Sequence, residues 1–102
     1  MRFGSVRELR EWLAEASPET LFADGFEDAI VGVGVQGGKH NPVVVYDRER
    51  CIEILMARDG MSEDEAEEFF CFNTEGAWVG DYTPVWLSGV GDGERGVNVL
   101  DA

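Results

Sequence analysis

Between Ala29 and Asp47 the chain reads AIVGVGVQGGKHNPVVVYD, where Gly32, Gly34 and Gly37 have the G-x-G-x-x-G spacing and Gly38-Lys39 follows. Glycines so spaced hold a pyrophosphate when they turn a strand directly into a helix, because the helix N-terminus then offers free N–H groups to the anion. That order fails here. Gly37 leads through Gly38-Lys39-His40-Asn41 to a second apolar run, PVVVY. The G-x-x-x-x-G-K-[ST] phosphate loop fails as well: Val33 stands where its first glycine belongs, and His40 where Ser or Thr belongs. The stretch reads as a hairpin loop whose Lys39, His40 and Asn41 can touch a partner or ligand, and no nucleotide cofactor is expected.

The other reactive side chains are sparse. His40 is the only histidine, and nothing in its sequence context marks a nucleophile beside it. Cys51 and Cys71 with one histidine fall short of the four nitrogen or sulfur ligands of a zinc site, so no metal is expected. A disulfide between them would close a loop of about twenty residues, worth ~3 kcal/mol. Free thiols are the expectation for an intracellular chain. The acids of DGMSEDEAEE lack the D-x-D-x-D-G alternation of a calcium loop. Asp64, Glu67 and Glu68 instead share one helical face, where they either solvate a capped helix or form a negatively charged docking surface. Carboxylates at i, i+3 and i+4 are spaced at ~5–6 Å, closer than phosphates of one DNA strand. Imitating a nucleic-acid backbone therefore requires further acids: Glu75, Asp81, Asp92 and Glu94. Phe72, off the inward face of its helix, and Tyr82, beside a turn, are candidate interface anchors, since aromatic residues supply much of the energy at hot spots.

Charge bounds the partners. There are 21 acids and 8 bases in 102 residues, a formal net charge of −13. Residues 1–50 carry nine acids and six bases; residues 51–102 carry twelve acids and only two bases, Arg58 and Arg95. Such a field repels nucleic acid and anionic lipid and attracts basic protein surfaces. Halophilic adaptation is the competing explanation. No apolar run approaches the ~20 residues of a membrane span, and the amphipathic start MRFGSVRELREWL is unlike a signal peptide.

The elements that must position these residues follow from periodicity and capping. Ser5 and Glu8 open a helix with Val6, Leu9, Trp12, Leu13 and Ala16 on one stripe, ended by Pro18. A loop follows, with Leu21, Phe22 and Phe26 tucked beneath it. Ala29–Val35 and Pro42–Tyr46 read as a hairpin. Asp47 caps a second helix with Cys51, Ile52, Leu55 and Met56 inward, stopped at Gly60. Ser62 and Glu65 form a capping box for a third, with Ala66, Phe69 and Phe70 inward. Trp78-Val79 and Val85-Trp86-Leu87 read as short strands about a Gly80-Asp81 hairpin turn, with Pro84 marking an edge. Val97–Leu100 reads as a last strand. The order α-β-β-α-α-β-β predicts one α+β domain over 1–102: a small, mostly antiparallel sheet with about three helices packed on one face.

Three stretches, GFEDAIVGVG, PVVVYDRERCIEILMARDGMSEDEAEEFF and FNTEGAWVGDYTPVWL, resemble a widespread group of small uncharacterised bacteriophage and prophage proteins. The likeness runs from about Asp24 to Leu87 and carries over no catalytic residue. It implies an accessory protein in the bacterial host cytoplasm that binds and modulates or inhibits a host protein. By analogy, such a protein works against host defence (anti-CRISPR or anti-restriction) by occupying a basic nucleic-acid site. On this expectation the chain is not an enzyme. It presents Asp64, Glu67, Glu68, Phe72, Glu75, Asp81 and Tyr82 to a basic surface of a host protein, and is a monomer or homodimer. Two alternatives stand beside it: a small enzyme or ligand-binding protein using the 36–41 loop, and a structural or oligomeric phage component.

Overall fold

The computed structural model describes residues 3–90; Asp92, Glu94 and the expected strand Val97–Leu100 lie outside the described residues. Helix α1 is Val6–Ala16, and a 3₁₀ turn at Glu27–Ala29 leads into β1, Ile30–Gly34. Then come β2, Val43–Asp47; α2, Arg48–Asp59; α3, Glu63–Phe70; one turn of π-helix, Cys71–Glu75; and β3, Val85–Leu87. The sheet order is β1-β2-β3. This is the α+β domain expected from the sequence, with three helices and a small sheet.

Local chemistry explains most boundaries. The Asp47 side chain accepts the Arg50 N–H at 3.2 Å and starts α2, and Gly60 ends it in the left-handed region at φ 69, where a side chain would cost about 1–2 kcal/mol. At α3 the capping box is reciprocal: Ser62 Oγ accepts the Glu65 N–H, and the Glu65 carboxylate accepts the Ser62 N–H at 2.9 Å. At α1 the box is displaced by one residue. Ser5 Oγ accepts the Glu8 N–H, but the Glu8 carboxylate takes the N–H of Gly4, not of Ser5.

The core gathers Leu9 and Leu13 of α1, Val44 and Tyr46 of β2, Cys51, Ile52 and Leu55 of α2, and Ala66 and Phe70 of α3. A run of aromatic rings crosses it. Phe26 meets Phe70 edge-on at 5.8 Å, Phe70 meets Trp86 edge-on at 5.0 Å, and Trp86 lies 5.0 Å from Tyr46. Each buried ring of this size is worth roughly 1.5–3 kcal/mol of transfer free energy. The Tyr46 hydroxyl accepts the Ala23 N–H at 2.7 Å, pinning the α1–β1 connection to the sheet, and burial raises the phenol above its ordinary pKa.

Several expectations give way to tertiary context. Met56 and Phe69, expected inside, are exposed at 36% and 41%. Trp78-Val79 forms no strand, and there is no hairpin about Gly80-Asp81. Thr83 is the reason: its hydroxyl accepts the Val79 N–H at 2.9 Å, and it also bonds the Gly80 carbonyl. A side chain that serves local backbone groups competes with a ladder. β3 therefore pairs with β2 and runs parallel to it, Val45 opposite Val85 and Asp47 opposite Leu87. Parallel neighbours need a long crossover, and α2, α3 and the π turn supply it. β3 remains an edge strand, as Pro84 implies.

Candidate functional site

Helix α3 buries Ala66 and Phe70, so the opposite side faces out. That side carries Asp64, Glu65 and Glu68, all exposed. With Met61, Phe69, Phe72 and Asn73, the last two glutamates line a shallow groove of about 350 Å³. Phe72 is 79% exposed and Phe69 41%. Two bare phenyl rings amid carboxylates are costly in water, and aromatic residues that a monomer leaves outside are the anchors interfaces use. The Glu65 carboxyl is held below the usual range by the backbone N–H of Ser62, so it stays ionised while it caps.

The π turn aims Phe72. Gly76 N–H reaches back five residues to the Cys71 carbonyl at 3.0 Å, and a Cβ on Gly76 would sit 2.8 Å from that oxygen. The Asn73 amide adds a bond to the Phe69 carbonyl at 3.0 Å. Arg48, the first residue of α2, locks the turn from below. Its guanidinium donates to both Glu67 oxygens at 2.8 and 3.1 Å and to both Glu75 oxygens at 2.9 and 3.1 Å. It also lies 5.5 Å from the Phe70 ring centre. The arginine is held charged well above its ordinary pKa by these hydrogen bonds, and Arg48 in turn lowers Glu67.

The structure thus sorts the sequence candidates. Asp64, Glu68 and Phe72 share one outward face. Glu67 and Glu75 converge on Arg48, whose single positive charge offsets half of theirs from within. Tyr82 is half-buried in the 77–84 segment. Asp81 lines a different groove, of about 400 Å³, over the side of the sheet away from the helices. Lys39 and Asn41 line that same groove, while exposed His40 is not among its lining residues.

A third cleft, of about 590 Å³ between α1 and β1, has no ionisable lining residue, and its one hydroxyl, Ser5, is committed to the helix cap. It offers a surface and no chemistry. Among the described residues no three His, Cys, Asp or Glu side chains come together to hold a metal ion. Among the same residues no helix is long and apolar enough to cross a membrane.

No family model, curated protein or solved structure matches the chain. Its function must therefore be argued from these surfaces. Sequence reading missed Phe69 and Trp78 as surface residues, and half-buried Met61 as one end of the groove. For Met61 a signal existed: Met61, Glu65, Glu68 and Phe72 follow i, i+4, i+7, i+11, one continuous helical stripe. Trp78 sits in an irregular segment, where periodicity says nothing.

Proposed function

We propose that this chain is a binding protein that docks a basic protein surface on the outer face of α3 and the π turn. The carrying observation is Phe72, 79% exposed on a turn fixed by Gly76 and Arg48 and bordered by Glu65 and Glu68. An apolar anchor rimmed by carboxylates suits a partner with an apolar pocket ringed by Lys and Arg. The rim steers encounter, and the ring supplies affinity. Basic surfaces of this kind belong above all to proteins that bind nucleic acid. The likeness to small phage proteins supports a host protein as the target, in the host cytoplasm, with modulation or inhibition of host defence as the outcome. Loss of Glu67 and Glu75 to Arg48 weighs against a literal copy of a phosphate backbone. It favours a local, aromatic-centred contact.

The test is capture from bacterial lysate with wild-type chain, Phe72→Ala, and Asp64→Lys/Glu68→Lys. The reading expects one captured species that Phe72→Ala loses at every salt concentration. The double charge reversal should lose it most at low salt, where exposed charges act furthest. Equal capture by all three proteins, each shown folded by circular dichroism, removes this face.

A further inference from the structure

The helices cover one side of the sheet, yet both sides are apolar. Val44 and Tyr46 of β2 point into the core, so alternation sends Val43 and Val45 to the other side. Register places Gly34 opposite Val43, and Val85 on the far side of Val45. Val85 and Leu87 are 44% and 43% exposed, and Trp78, at the rim, is 71% exposed. A sheet with one wet face alternates apolar with polar residues, whereas strands apolar on both sides belong to sheets covered on both sides. Among the described residues no helix covers the outer side of this one; only the 36–41 loop and the 77–84 segment border it, and they leave a groove between them.

Its shape and charge point to what does. The groove of about 400 Å³ is floored by Val43 and Val45, whose methyl groups close over Gly34, and it carries a knob at its rim, the exposed Trp78 indole. Groove and knob on one surface are what an isologous contact needs, because each copy offers both halves. Lys39, the only lysine of the chain, and Asp81 line the same groove. A two-fold axis passing between them sets Lys39 of one copy against Asp81 of the other. Two chains of net charge −13 repel each other over most of their surface. Residues 29–38, 42–46 and 82–90 contain no Asp, Glu, Lys or Arg, so the face they build is where two copies meet with least repulsion. A basic foreign chain finds no carboxylate there besides Asp81 and Asp47, and the Asp47 carboxylate is occupied in capping α2.

We propose that two copies of this chain pair face to face through the outer surface of the sheet, each Trp78 seated in the groove of the other. The pairing leaves α3 on the opposite side of the sheet and does not depend on the docking role given to it above.

Size exclusion with light scattering on the full chain, from about 1 µM to about 100 µM, tests it. The mass should rise from one chain toward two, and the melting temperature should rise with concentration. Trp78→Glu should weaken the pairing at least tenfold, while its melting temperature at the highest dilution stays that of the wild type. Lys39→Asp should weaken it too, and Lys39→Asp/Asp81→Lys should restore it. A single-chain mass across the whole range overturns the proposal and leaves the face to a small ligand or a foreign chain. A dimer indifferent to both Trp78→Glu and Lys39→Asp overturns it equally. Should Trp78→Glu unfold the chain, the charge swap decides alone.

Discussion

Arg48 Nε lies 2.9 Å from Glu75 Oε2, and Arg48 Nη2 lies 3.1 Å from Glu75 Oε1, a two-point ion pair joining the first turn of α2 to the last residue of the π turn. With Glu67 held by the same guanidinium, one side chain ties α2, α3 and the π turn together. The arginine side chain is 17% exposed, but its partners are more open, Glu67 at 47% and Glu75 at 33%. Solvent therefore screens much of the attraction. We expect Arg48→Met to cost about 1–2 kcal/mol in urea unfolding, between the exposed and the buried limits for ion pairs. Arg48→Lys should recover only part, because an ammonium cannot fork onto two carboxylates. Adding Glu67→Gln and Glu75→Gln to Arg48→Met should recover most of the loss, since the cost lies in carboxylates left facing each other.

The same arginine sets an acid dependence through Glu67. Arg48 holds the Glu67 carboxyl below its ordinary value. A carboxyl whose folded pKa lies below the unfolded one adds stability fully present above the unfolded pKa, ~4.3 for Glu. That stability is lost as the pH falls through the lower, folded value. The difference in melting temperature between wild type and Glu67→Gln should therefore be constant from neutral pH down to about 5. It should shrink below ~4.3, where the wild-type carboxyl protonates too. A difference that grows on acidification contradicts the assignment.

Gly76 tests whether the π turn is held by close approach of backbone. Its φ of −78 is open to any residue, so conformational freedom is not what selects glycine. The obstacle is the Cys71 oxygen, 2.8 Å from where a Cβ would sit. Gly76→Ala should break the five-residue bond, cost about 0.5–2 kcal/mol through local strain at an exposed turn, and disturb partner capture through Phe72 without touching it. Full stability and unchanged capture would show that the turn opens freely.

How much of this was legible beforehand depends on where each signal resides. Ser5, Asp47, Gly60 and Ser62 act on backbone groups within four residues, so the helix starts and stops could be read directly. The β1–β2 hairpin was equally local. Phe69 and Phe70 are adjacent aromatics, and only the packing of α3 on α2 and Trp86 decides which turns inward. Glu67 and Glu75 look like solvated acids because Arg48, their partner, is 19 and 27 residues away. β3 runs parallel because of the crossover that precedes it, not because of VWL itself. The outer sheet face was visible in PVVVY and IVGVG as runs without polar alternation, a pattern that invites a second covering layer.

The two thiols should separate by reactivity. Cys51 is fully buried on α2, and burial pushes its pKa up to about 12; Cys71 is exposed on the π turn. Thiolate, not thiol, is the nucleophile. A maleimide or disulfide reagent near neutral pH should label one thiol per native chain, with the second reacting only on unfolding. The Cys71→Ser protein should label none while folded. Because the folded Cys51 pKa is the higher one, its contribution to stability is present below the unfolded value and lost as the pH rises toward 12.

Salt should stabilise the fold, against the usual expectation for a protein with ion pairs. Eighteen of the 21 acids fall among the described residues, and six of them pair with arginine within 4 Å, leaving twelve that do not. Four of the six pairs join side chains that are each at least 36% exposed, and such pairs contribute ~0–1 kcal/mol apiece. Screening therefore removes little attraction. It removes much repulsion, because shortening the Debye length from ~30 Å to ~8 Å uncouples carboxylates on opposite sides of a domain this size. If the relief is about 1 kcal/mol, the melting temperature rises by about 4–8 °C between 0.01 and 0.15 M sodium chloride. The measurement belongs below 0.2 M, where screening dominates over general salting-out, and at one fixed protein concentration, because repulsion between copies is screened along with repulsion within one. A melting temperature that stays flat or falls over that range means the acids are spread so that attraction to the eight bases balances them. In that case the long-range negative field invoked for partner steering is absent as well.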